Sequence, residues 1–260
     1  MTEFMGLSRN LIHEKWKTMN WIVGIELIAF VVIYLLRLVT GGWNGSIMPG
    51  YFVGIYAFEA GIVSLVGFVM LSRSNEQVFT SNNYRLIPAS DTKLYFSNIL
   101  TTVVAYLYLQ ILEAILGNIV MFASGMGKSL MMSPEFGGSN FLMGFELFLV
   151  LVLGALLLWT GITVIHFLIN WISGFLPFGR QKLVTFILYF VVTWIALVIF
   201  NFTTGKVISF LYKNISLQGI SNMAQFSRIM WLSIAITFVW VAIFTAANIY
   251  LLKRWTETTR

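Results

Sequence analysis

The 260-residue chain has no cysteine. That excludes disulfides, thiolate nucleophiles and cysteine metal ligands, and it fits a cytoplasmic membrane. Its two histidines, His13 and His166, lie far apart in sequence, so no metal-ligand cluster is evident. Charge is scarce as well. Asp, Glu, Lys and Arg make up 10% of the residues, against about 25% in an ordinary soluble domain. With 58% hydrophobic residues and a mean hydropathy of +0.85, a soluble globular fold is excluded and the solvent is a bilayer. No length remains for a separate catalytic domain. No Ser/His/Asp arrangement stands out, so no catalytic residue is expected. The net charge of +6 does not signal nucleic acid. In a membrane protein, excess Lys and Arg report orientation and contact with anionic headgroups.

What is abundant is apolar sequence. A span needs roughly 20 apolar residues to cross a ~30 Å hydrocarbon core. Six runs qualify, near 21–39, 51–71, 94–123, 141–172, 183–202 and 229–252. The first carries no small-residue cleavage site before Arg37, so a retained span rather than a signal peptide is expected. If the N-terminus is cytosolic, the inner segments hold Arg9, Lys15, Lys17, Arg73, Arg85, Lys93, Arg180, Lys182, Lys253, Arg254 and Arg260. The outer side holds only Arg37, Lys128, Lys206, Lys213 and Arg228. That bias predicts both termini in the cytosol. The fold class read here is an all-α membrane protein, with six transmembrane helices forming a single transmembrane domain over 1–260. A cytosolic loop is expected at 74–97 and an outer loop at 203–228.

Residues 1–19 read as a separate interfacial helix. Phe4, Met5, Leu7, Leu11, Ile12, Trp16 and Met19 fall on one half of a helical wheel, and Arg9, His13 and Lys17 on the other. Lys15 and Ser8 violate the pattern. The polar stretch from Tyr84 to Asn98 sits between two spans. Pro88 disfavours helix before it, Ser90 is a good N-cap, and Asp91 falls in the first turn where the helix dipole favours an anion. The chain is expected to arrive extended, cap at Ser90 and continue as helix into the third span.

The segments Leu86-Ile-Pro88-Ala-Ser90 and Lys93-Leu-Tyr-Phe-Ser97 resemble the cytosolic loop of ABC-2 type transporter permeases, and the wider plan of six spans is similar to theirs. The resemblance implies a coupling helix that docks on a separate ABC ATPase dimer through Arg85, Pro88, Ser90, Asp91, Lys93, Leu94, Tyr95 and Ser97. It also implies a second permease subunit, identical or related, and ATP and Mg in the partner ATPase rather than in this chain. Composition and loop are similar to bacteriocin or lantibiotic immunity permeases, which places the expectation in a bacterial cell membrane. The residues themselves supply no motor. Gly125-Met-Gly127-Lys128-Ser129 mimics the tail of a phosphate-binding P-loop, but the first glycine of that pattern falls on Phe122.

Four acids lie within apolar runs: Glu26, Glu59, Glu113 and Glu146. A charge at the bilayer centre is costly, so each must face protein or water, pair, or hold a proton. By position along the runs, Glu59, Glu113 and Glu146 are expected in the outer half and Glu26 in the inner half. Arg37 is a natural partner for Glu59 or Glu146. One reading makes these acids the lining of a pathway for a cationic or amphipathic substrate; the other makes them structural. His166 with Asn170 and Trp171 reads as an interfacial anchor or a proton relay. Small residues Gly50, Gly54, Ala57 and Gly61 are candidates for close helix approach. The function expected is a permease subunit of an ATP-driven exporter for a hydrophobic or amphipathic substrate such as an antimicrobial peptide, a drug or a lipid. The alternative is an ATP-independent secondary transporter, or a membrane enzyme using the intramembrane carboxylates.

Overall fold

The computed structural model describes residues 2–41, 48–81, 90–125, 138–175, 182–215 and 223–254. They form six α-helices: α1 Thr2–Gly41, α2 Met48–Thr80, α3 Asp91–Ala123, α4 Gly138–Phe175, α5 Lys182–Ile215 and α6 Met223–Arg254. All six are long and apolar enough to cross a membrane, and the chain is a multi-pass membrane protein. Helix is the expected solution, because a backbone in hydrocarbon must satisfy its own N–H and C=O groups. The prolines respect the same logic among the described residues: Pro49 is the second residue of α2, and none of the six helices carries a proline in its interior.

The helices outrun the apolar runs that seed them. α1 has 40 residues, about 60 Å at ~1.5 Å per residue. It passes without a break through the 17–21 stretch, where an interfacial helix was expected to end. Lys17-Thr-Met-Asn-Trp21 contains neither proline nor glycine to stop it. The expected loop at 74–97 is likewise reduced. Residues 74–80 continue α2, and α3 begins at Asp91. The expected loop at 203–228 is mostly helix too, since α5 runs on to Ile215. In each case polar residues extend a helix that apolar residues began.

The chain divides into two compact units. Unit 1 comprises 1–78 with 87–137, and unit 2 comprises 79–86 with 138–260. In unit 1, α1 packs along α3. The buried stripe on α1 is Leu7, Leu11, Lys15, Met19 and Val23, at four-residue spacing. α2 approaches α3 through Gly67, where an added Cβ would stand 2.4 Å from Leu109 Cδ2. The Tyr56 ring of α2 lies against Gly117 of α3, where an added Cβ would stand 3.0 Å from Tyr56 Cε1. These glycines make the close approach. Gly50, Gly54 and Gly61, which the sequence offered for that role, face open space.

In unit 2, α4 packs on both α6 and α5. Asn248 Nδ2 donates to the Thr160 carbonyl at 2.9 Å, and the Phe244 ring lies over Gly161. Trp240 joins α6 to α5, stacking on Phe200 at 4.9 Å and donating from Nε1 to Thr204 Oγ1 at 3.1 Å. Leu183, Phe186, Phe190 and Trp194 of α5 are exposed, as side chains bathed in hydrocarbon are. α3 ends at Ala123 with Ser124 as C-cap. Gly125 follows at φ +80°, a left-handed position that suits glycine, and its N–H reaches the Phe122 carbonyl at 3.1 Å.

Candidate functional site

Unit 1 holds two polar assemblies inside otherwise apolar packing. The first centres on Lys15, which is 1% exposed. Its Nζ lies within hydrogen-bonding distance of five oxygens: Thr102 Oγ1 at 2.6 Å, Asn98 Oδ1 at 2.7 Å, the Asn98 carbonyl at 2.9 Å, Thr101 Oγ1 at 3.1 Å and Asn75 Oδ1 at 3.2 Å. An ammonium has three protons to donate and nothing to accept with, so an all-acceptor shell matches it. Burying such a group is costly unless it is fully hydrogen-bonded, and this one is. The shell ties α1 to α2 through Asn75 and to α3 through Asn98, Thr101 and Thr102. Within the shell, Asn98 Nδ2 donates to the Asn75 carbonyl at 3.3 Å, and two turns earlier on α1 the Ser8 hydroxyl meets that of Ser97 at 2.8 Å.

The residues that broke the amphipathic pattern are therefore the ones that dock α1. Sequence reading put Lys15 among the solvated charges. The signal available was the violation itself, since Lys15 shares a face with Leu7, Leu11 and Met19.

The second assembly is acidic. Glu26 of α1, Glu59 of α2 and Glu113 of α3 are all buried, and Glu26 is within electrostatic reach of both others. The Tyr56 hydroxyl stands 2.9 Å from Glu113 Oε2 and 2.7 Å from the Glu113 carbonyl oxygen, and its one proton serves one of them at a time. Among the described residues, no donor reaches either oxygen of Glu26, either oxygen of Glu59, or Glu113 Oε1. What stands beside Glu26 is another acceptor, the Glu113 carboxyl. Acids so placed need compensation, from retained protons or from a cation.

Glu26 and Glu59 line a groove of about 830 Å³ between α1 and α2. Its other walls are apolar, including Ile25, Phe58, Ile62 and Val66, which are themselves exposed. These exposed walls leave the groove open at the surface of unit 1.

This grouping differs from the one read by counting along the runs. Glu26 stands with Glu59 and Glu113 instead of apart from them, because the packing of α1, α2 and α3 brings the three side chains within electrostatic reach. Glu146 belongs to unit 2, where it is buried and the Ser227 hydroxyl donates to its Oε1. Among the described residues of unit 1, Arg37 does not pair with Glu59 as expected. Its guanidinium stands over the Tyr51 ring at 5.0 Å, and its buried Nε has no acceptor. His166 Nδ1 meets the Tyr189 hydroxyl at 2.7 Å, joining α4 to α5. Among the described residues no group of three or more His, Asp or Glu is placed to hold a metal ion.

Of the expected coupling residues, Arg85 and Pro88 lie outside the described residues. Residues 126–129 of the P-loop mimic also lie outside them. Ser90 caps α3: its backbone is extended at φ −67° and ψ 146°, and its hydroxyl accepts from Lys93 N at 3.4 Å. Asp91 occupies the first turn. Leu94, Tyr95 and Ser97 face inward and are buried. Lys93 and Phe96 are exposed, so with Ser90 they form the accessible face of this helix start.

Comparison with protein-family models, with curated proteins and with solved structures finds no match. The class rests on the six apolar helices themselves: a multi-pass helical membrane protein.

Proposed function

We propose that the chain is a permease subunit that moves a hydrophobic or amphipathic substrate, energised by a separate ATPase. The observation that carries the permease reading is the α1–α2 groove: apolar, about 830 Å³, open at the surface of unit 1, with two buried carboxyls on its wall. A volume in the roughly 300–1,000 Å³ range suits a drug-sized occupant, and the open side lets that occupant arrive from the bilayer. The ATPase part rests on the resemblance of residues 86–97 to the coupling loop of ABC-2 permeases. Under this reading both termini and the start of α3 are cytosolic, and Ser90, Lys93 and Phe96 meet the ATPase. Leu94, Tyr95 and Ser97 carry the motion inward, into the shell around Lys15. Two permease subunits and two ATPase subunits complete the transporter, and ATP and Mg bind the ATPase.

The test is isolation of the chain from its native host in mild detergent. An ATPase subunit is expected to copurify, and amphipathic compounds are expected to stimulate its hydrolysis. Failure to retain any ATPase, even on co-expression, would remove the ATP-driven reading. The unpartnered carboxyls favour one second reading, a secondary transporter that exchanges a proton for its substrate. Uptake into liposomes driven by a pH gradient without ATP would select it.

A further inference from the structure

We propose that the α1–α2 groove takes a lipophilic organic monocation, with Glu26 and Glu59 as its counter-ions. The proposal rests on the groove being the substrate site and adds the charge of the occupant. Glu26 is 4% and Glu59 8% exposed, and both line the groove with no donor on any carboxyl oxygen. Among the described residues of unit 1, no basic side chain bonds either carboxyl. Lys15 is held by its own five oxygens, and Arg37 stands over Tyr51. The Glu113 carboxyl stands beside Glu26 as a further acid at the same site.

The acids are not spaced for a small ion, since they do not meet the geometry of a metal site. The walls fit a large one. Ile25, Ile62 and Val66 offer apolar contact, and the rings of Tyr51 and Phe58 line the same groove. Aromatic faces attract quaternary cations, most strongly where water is excluded. A quaternary phosphonium or ammonium wrapped in apolar groups satisfies both halves: its body matches the walls, and its charge, which needs no N–H donor, matches the carboxylates. A neutral lipid offers the acids no counter-charge and leaves their compensation to retained protons alone, and an anion would be repelled by ionised carboxylates.

The experiment uses the full chain in phosphatidylcholine nanodiscs, whose headgroups carry no net charge. Binding of radiolabelled tetraphenylphosphonium is measured by equilibrium dialysis, with triphenylphosphine oxide as neutral competitor. Saturable phosphonium binding is expected, weakened at least about tenfold by Glu26→Gln and by Glu59→Gln, a loss of about 1.4 kcal/mol each. The neutral competitor is expected not to displace it. Size-exclusion profile and tryptophan emission report whether each variant folds. Where Glu26→Gln does not fold, the wild-type competition and Glu59→Gln decide. The proposal is overturned by absence of saturable binding, by equal binding of the neutral compound, or by folded Gln variants with unchanged affinity. No ATPase is needed for this measurement. Failure to copurify one removes the ATP-driven reading and leaves the binding result standing, and the reverse also holds.

Discussion

Replacing Lys15 by methionine keeps the length of the side chain and removes the donor at the centre of the polar shell. The cost follows from what the five acceptors do afterwards. Asn75 Oδ1 still accepts from the Thr102 hydroxyl. The Asn98 carbonyl still accepts from Thr101 Oγ1 at 2.9 Å, since the one Thr102 proton is already given to Asn75 Oδ1. Asn98 Oδ1 loses its short bond to Nζ and keeps no donor in the shell. One orphaned buried acceptor costs about 1–3 kcal/mol. Four weakened contacts add to this, and release from burying a charge subtracts. The net expectation is a loss of about 2–4 kcal/mol. Lys15→Ala should lose about 2 kcal/mol more, for the cavity left by the missing methylenes. Adding Asn98→Leu to Lys15→Met should recover part of the loss, because removing both partners is cheaper than removing one. The assay is the apparent unfolding free energy in mixed micelles titrated with SDS, followed by tryptophan emission. Lys15→Met within about 0.5 kcal/mol of wild type would refute the reasoning. So would a strictly additive Lys15/Asn98 double-mutant cycle.

Three further outcomes are expected. Gly67→Ala should cost about 1–3 kcal/mol, because its Cβ would strike Leu109, which is fully buried and cannot swing aside; Leu109→Ala in the same chain should restore part of it on the same SDS titration. Ser90→Ala should cost about 1 kcal/mol by removing the N-cap of α3, read as faster hydrogen exchange in the first turn after Asp91. Leu94→Asp with Tyr95→Asp should prevent folding outright, since both side chains are buried; Lys93→Glu with Phe96→Ala should fold normally and reduce ATPase copurification. Normal copurification of the second pair would remove this face from the docking surface.

The helices were legible because apolar runs of span length admit one backbone solution in hydrocarbon. Their ends were not. Polar stretches such as Arg73-Ser-Asn-Glu-Gln77 and Asn201-Phe-Thr-Thr204 read as loop by composition, yet each continues a helix whose hydrogen-bond ladder is already running. Counting depth along a run placed Glu26 away from Glu59 and Glu113, although packing brings the three together. The importance of Glu26 and Glu59 was visible, since an acid in an apolar run has to be explained. The partners were not visible, because pairing depends on helix rotation, and rotation depends on contacts such as Gly67 against Leu109. Lys15 shows the same limit from the other side. Its charge invited a solvated reading, and only the four-residue stripe it shares with Leu7, Leu11 and Met19 argued otherwise.

Lys15 and Glu26 lie eleven positions apart on one unbroken helix, about three turns, so they share a face about 16 Å apart. The shell around Lys15 grips the start of α3, and Glu26 sits on the wall of the groove. A helix without proline or break between two such points transmits displacement instead of absorbing it. If the groove binds a cation as proposed, Lys15→Met has a second readout beyond stability. Freeing α1 from Asn98 should let Glu26 drift relative to Glu59, weakening tetraphenylphosphonium binding several-fold in a variant that still folds, while Ser90→Ala, which loosens only the cap, should leave it unchanged. Lowered stability with wild-type affinity in Lys15→Met would show that the anchor and the groove are energetically separate, and the shell would then be a structural tie alone.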